Sequence, residues 1–300
     1  MQGVSFRRVR KSLKNSFIFY FLRFIMAFLR LLPRKASLAL GGWLGGLAYL
    51  LLSKERRVTK GNLKTYFNTQ DSYQLNTLSL SVFINLGKSA ADAVRLPKWK
   101  DRDFREFVWV EGLTRFDSAY KRGKGLIAVT GHISNFELIP AYFSWLGYKT
   151  AVIGREVYDP RLDKLLIKNR TAVGTQNIPT DSSVKAVMQA LKDGKALGVL
   201  VDQNSSRVSN IKVDFFGAKA NTPKGPFGIA CKLNCPVVPL AIVRTKGDYY
   251  RIIVGEILEP NSMKSEEESI LDLAQRTNQF LESIIREYPD QWVWMHKRWS

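Results

Sequence analysis

Short β-rich runs alternating with segments of helical length predict an α/β protein: a mostly parallel or mixed central sheet flanked by helices, with an N-terminal membrane-associated helix. Three observations carry that reading. VWVEG, GLIAVTG, YKTAVIG, ALGVLVD, IKVDFFG, PVVPLAIV and YRIIVG are all strand-like, with helix-length stretches between most of them. Several of these runs are nearly all apolar, as strands covered on both faces are. Residues 1–54, by contrast, hold long apolar runs and no Asp or Glu.

Taken in order, the chain opens with Arg7, Arg8, Arg10, Lys11 and Lys14 ahead of the apolar run at 17–33, which only Arg23 and Arg30 interrupt. A second run, residues 36–53, carries no charge. As helices at ~1.5 Å per residue each would reach ~25 Å, marginal against a hydrocarbon core of roughly 30 Å. Residues 1–53 therefore read as a membrane anchor and a membrane-apposed helix whose arginines snorkel, with basic residues holding the N-terminus toward the cytoplasmic leaflet. A transit peptide and a buried core helix are the competing readings. Gly41-Gly42 and Gly45-Gly46 suit either a small-xxx-small membrane contact or close packing on the domain. Residues 54–300 read as one domain. Its helices are expected around Tyr73–Val94, Asn135–Trp145, Pro160–Ala172, Ser182–Lys192, Pro223–Leu233 and Ser265–Glu287.

Forty-six Lys and Arg against twenty-six Asp and Glu give +20, so the partner is expected to be negative: nucleic acid, anionic lipid or an acidic carrier protein. Nucleic acid is disfavoured, because the basic residues are spread along the chain without an RNP or helix-turn-helix pattern. Cys231 and Cys235 form neither a disulfide framework nor a zinc site, and no metal or cofactor is expected.

The segment TGHISNFE, residues 130–137, places His132 just past the end of a strand, where open α/β sheets gather ligands. Ser134-x-x-Glu137 also fits a capping box. Alone, the pattern reads first as a helix start, although a first-turn Glu can also lean back onto an imidazole.

Other blocks change that weighting. GHISNFE resembles the GHxxNWE block of the bacterial lipid A biosynthesis acyltransferases, and five further blocks follow in the family's order except that the first precedes it. These are RRVTKGNLKTYF, GREVYDPRLDKLLIKNR, VLVDQN, FFGAKANTPKGP and PDQWVWMHKRW, so the resemblance spans nearly the whole chain. Phe136 in place of Trp, Glu156 in place of Pro and Asp159 in place of Asn depart from the pattern, which puts acyl length and acceptor preference outside the carry-over.

The resemblance implies O-acyl transfer from acyl-acyl carrier protein to a hydroxyl of an anionic lipid A precursor, at the cytoplasmic face of the bacterial inner membrane. The same chemistry on a glycerophospholipid or a mannosylated glycolipid, or a basic non-enzymatic membrane- or nucleic-acid-binding protein, is the alternative. His132 is the expected general base, with Glu137 holding its second ring nitrogen. No G-x-S-x-G elbow is present, so direct transfer without a covalent acyl-enzyme is expected; an acylated Ser134 is the rival. Arg170 is the expected oxyanion donor, or else a solvated helix-end arginine. Asp202 is expected to position Arg170 or His132, or to form a turn. Asn135, Arg155, Lys164 and Gln203 are assigned to substrate binding. His296 lies in an aromatic, basic tail that suits either a lipid or phosphate interface or simple packing.

Overall fold

The computed structural model describes residues 6–154, 159–180 and 184–299, with side chains from residue 15 onward. Three helices lead: α1 (Phe6–Leu31), α2 (Arg34–Leu51) and α3 (Ser53–Tyr66). The long α4 (Ser72–Arg95) follows, with Asp71 capping it by accepting from the Gln74 N–H. The alternating part then runs α5 (Asp101–Phe107), β1 (Val108–Glu111), α6 (Leu113–Tyr120), β2 (Leu126–Thr130), α7 (Leu138–Trp145), β3 (Thr150–Gly154), α8 (Pro160–Thr171), β4 (Gln176–Pro179), α9 (Val184–Lys192) and β5 (Ala196–Leu200). A hairpin, β6 (Asn210–Phe215) and β7 (Ala218–Pro223), precedes α10 (Gly225–Leu233), β8 (Val237–Arg244), β9 (Tyr250–Val254) and α11 (Glu266–Glu287).

The central sheet has the order β1-β9-β8-β2-β5-β3-β4. Every neighbouring pair is parallel except β8 with β9, so the sheet is mixed, as the sequence predicts. Buried side chains alternate between two cores. Leu126 and Ala128 of β2 join Phe116 and Phe143 beneath α6 and α7, while Ile127 and Val129 join Leu273 and Leu281 of α11 on the other face. This two-sided burial explains the unbroken apolar runs. Two strands escape sequence reading: QNIP of β4 is short, and AKANTP of β7 lacks apolar alternation. The IKVDFFG run lies in the separate hairpin sheet.

The N-terminal helices pack against the domain. Gly41 and Gly45 of α2 lie so close to α4 that an added Cβ would fall 2.6 Å from the Gly87 carbonyl and 2.2 Å from that of Phe83. Of the two glycine readings, close packing is therefore the one realised. Arg30, expected to snorkel, instead donates to the Val94 carbonyl at 2.8 Å and to Asn169 at 3.0 Å. Arg34 reaches the fully buried Asp92 of α4 at 2.7 Å, where the Tyr250 hydroxyl also donates. The opposite face of α1 leaves Phe17, Tyr20, Phe21, Phe24 and Phe28 exposed, one stripe at helical spacing. Among the described residues no single helix is long and apolar enough to cross a membrane; α2 and α3, bent by 92°, pass that test only as a pair.

Candidate active site

β2 and β5 are paired in parallel with Thr130 opposite Leu200. Two residues beyond each strand end, that register brings His132 and Asp202 side by side. The His132 ring donates from Nδ1 to Asp202 Oδ1 at 2.7 Å, and its backbone N–H donates to Asp202 Oδ2 at 2.7 Å. A third donor, the Trp292 indole, reaches Oδ2 at 2.8 Å. Gly131 is needed for this approach, since a Cβ there would lie 3.1 Å from Asp202 Oδ2.

The electrostatics follow from burial and pairing. Burial alone would raise the Asp202 carboxyl, but the adjacent imidazole and three N–H donors outweigh it and hold the group far below the ordinary carboxylate range. Burial likewise lowers the His132 imidazole, and the Asp202 charge and hydrogen bond, with help from Glu137, bring it above its usual value. An ionised Asp202 fixes the proton on Nδ1, leaving the Nε2 lone pair as the basic position.

Glu137 does not hold His132. Its two oxygens are taken by Arg170, from Nε at 2.9 Å and Nη2 at 2.5 Å, while Arg170 Nη1 donates to Asn177 at 3.0 Å. The expected Glu137–His132 pairing is thus corrected to Asp202–His132. The Ser134 capping box does not form either. Helix α7 starts only at Leu138, Ser134 adopts a left-handed φ of 48°, and its hydroxyl is buried without a partner. The Ser134 backbone N–H donates to the Gln291 carbonyl instead. A capping box does form at Ser265 and Glu268, heading α11.

From Glu137 and Arg170 an apolar slot runs between the sheet and α7. Its empty space is ≈ 620 Å³ including the open mouth. Ala128, Val152 and Gly198, level with one another on the three strands, form its floor. Phe116 and Phe143, stacked at 3.9 Å, are among the side chains lining it. Phe136, also in the lining, sets its ring against His132 with centroids 4.9 Å apart.

The sequence profile described as bacterial lipid A biosynthesis acyltransferase matches residues 6–300. The chain belongs to that family. It is 22% identical over 281 residues to the lipid A biosynthesis palmitoleoyltransferase of Escherichia coli K12, covering 90% of this chain and 86% of the relative. It has the same identity and coverage with the lipid A biosynthesis acyltransferase of Shigella flexneri. With the lipid A biosynthesis lauroyltransferase of E. coli K12 the identity is 24% over 277 residues, covering 90% and 87%.

Within this acyltransferase, the structure brings His132, Asp202 and Gln203 together at the strand ends, and pairs Glu137 with Arg170 in the wall of the slot. Asn135 is buried beside His132 in sequence, with its side-chain nitrogen unpartnered. Lys164 is exposed on α8, and Arg155 lies outside the described residues. Sequence reasoning missed Trp292, the indole that fixes Asp202, and left His296 unassigned. The terminal QWVWMHKRW block was the available signal. Among the described residues no cluster of His, Cys, Asp and Glu could hold a metal ion.

Proposed function

We propose that this chain transfers a fatty acyl group from the thioester of acyl carrier protein to a hydroxyl of a lipid A precursor, at the cytoplasmic face of the inner membrane. The observation that carries this reading is an imidazole, backed by a buried carboxylate, set against Phe136 in the wall of an apolar slot. In the proposed step His132 Nε2 removes the acceptor's hydroxyl proton as that oxygen attacks the thioester carbonyl. Asp202 steadies the imidazolium that forms. The carbonyl oxygen becomes an oxyanion near Arg170, which its pairing with Glu137 keeps cationic despite burial. Collapse expels the carrier thiolate, and the imidazolium returns its proton to that sulfur.

The slot suits the acyl chain. From Leu200 to Ala196 it follows four residue steps of strand, about 13 Å at ~3.3 Å each. The aromatic stripe of α1, with the acid-free N-terminus and a net charge of +20, suits docking on anionic lipid.

The test is transfer by detergent-solubilised protein, with acyl-acyl carrier protein as donor and a lipid A precursor as acceptor, read by mass spectrometry. Wild type should add one acyl chain and His132→Ala should lose nearly all of that activity. Equal rates in the two proteins would defeat the assignment, and an acyl group trapped on Ser134 would defeat direct transfer.

A further inference from the structure

The chain has only two histidines, and the fold brings the second to the first. His296 Nε2 lies 2.7 Å from the Gln203 amide nitrogen, and the two imidazole centroids are 5.8 Å apart. That amide nitrogen is also 3.0 Å from both His132 Nδ1 and His132 Nε2. An atom in line with the Nε2 lone pair could not be equally close to Nδ1. The Gln203 amide therefore rests beside the ring, off the axis along which a substrate proton would arrive. Its shortest contact is the one to His296 at 2.7 Å, a hydrogen bond in which the amide N–H donates to an unprotonated Nε2.

His296 is firmly held. Asn62 donates to the carbonyls of Trp294 at 2.7 Å and His296 at 2.8 Å. Arg298 donates to the Asn221 carbonyl and to the Thr222 hydroxyl, and Trp299 stacks on Tyr66 at 3.6 Å. Burial pushes the His296 imidazole below its usual value; Asp202 opposes that, and His132 adds to it. The ring thus stays neutral, as an acceptor for Gln203 must.

We propose that His296 is a positioning residue for acyl transfer: through Gln203 it braces the His132 ring against Asp202 while leaving the Nε2 lone pair open to the acceptor hydroxyl. Phe136 packs against the same ring, its centroid 4.9 Å away. The proposal rests on His132 being the base, and its test separates the two ideas.

Three variants decide it. His296→Leu fills the space but cannot accept from Gln203, His296→Gln can accept through its side-chain carbonyl, and Gln203→Leu removes the link. Loss of bracing should lower kcat roughly ten- to hundred-fold in His296→Leu and Gln203→Leu with KM little changed, because a misplaced base costs rate and not binding. His296→Gln should recover most of that loss. Independently of turnover, ¹⁵N imidazole spectra of the detergent-solubilised protein contain only two ring systems. The His132 nitrogens should shift in His296→Leu and return toward wild type in His296→Gln. Wild-type kcat in His296→Leu, or unchanged His132 resonances in that variant, would overturn the proposal. Wild-type protein inert toward acyl donors, with the His132 shift still present, would defeat the functional reading and leave the brace standing.

Discussion

At the residue scale the decisive group is Asp202, whose oxygens accept three N–H donors. Asp202→Asn would set an NH₂ against one or two of those donors while removing the charge that supports the imidazolium. We expect kcat to fall about 10²- to 10⁴-fold, the scale of losing an oriented base. The acid limb of the pH–rate profile should also move. His132 must be neutral to act, and Asp202 raises its folded pKa, so the wild-type rate climbs through that raised value. Without the carboxylate the limb shifts to lower pH. The same shift has a stability consequence: the raised pKa stabilises the fold below the unfolded histidine value, and that contribution fades as pH climbs through the folded one. Glu137→Gln provides the contrast, because its carboxylate belongs to Arg170; its limb should move less than that of Asp202→Asn. His132, Glu137, Arg170 and Asp202 were all nameable from the sequence, and Asp202 beside His132 was one of the arrangements it offered, but Glu137 was assigned to the wrong partner. A glutamate five residues from a histidine invites a local partnership, whereas the actual partner lies 70 residues away across a strand register that no local pattern records.

At the scale of elements, the apolar runs reveal β2, β5 and β8 because burial on both faces leaves no polar alternation to read. β4 and β7 stay hidden because their pairing is set by neighbours and not by their own composition. The second apolar run hides its role for a related reason: residues that suit lipid also suit a helix interface. Here the glycines decide. Gly45→Ala would drive a methyl group toward the Phe83 carbonyl and force α2 from α4, whereas a Cβ at Gly46 meets nothing within 4 Å. Gly45→Ala should destabilise by about 1–3 kcal/mol as overpacking does. Gly46→Ala should be neutral or stabilising by up to about 1 kcal/mol, the ordinary helix gain of alanine over glycine. Thermal unfolding of the two variants in the same detergent checks the pair. Similar Tm changes in both would show that the interface tolerates separation.

At the scale of the whole molecule, the aromatic stripe of α1 is left exposed while the same helix is tied to the rest of the chain. The inner face of α1 is fixed by Arg30 on Val94 and Asn169, by Arg95 on the Leu29 carbonyl, and by Arg161 over Phe19 at 4.5 Å. The helix is thereby held as a rigid edge, with Phe24 at 68% exposure and Phe28 at 44% facing outward. A rigid apolar edge on a strongly cationic chain should bind lipid by two separable contributions. Attraction to anionic headgroups is screened by salt, and aromatic insertion is not. Vesicle sedimentation should therefore show binding to anionic vesicles that weakens, without vanishing, as salt rises. Phe24→Ser with Phe28→Ser should remove much of the salt-resistant part. Fully burying a phenylalanine is worth about 1.5–3 kcal/mol, so two partly inserted rings should cost on the order of tenfold to a hundredfold in partitioning. Arg30 and Phe19, which hold the inner face, are untouched, so the helix keeps its seat in this variant and its transfer rate in detergent should match wild type. Undiminished binding to vesicles at high salt would locate the membrane contact elsewhere, on the exposed Trp43, Leu50 and Leu51 of α2.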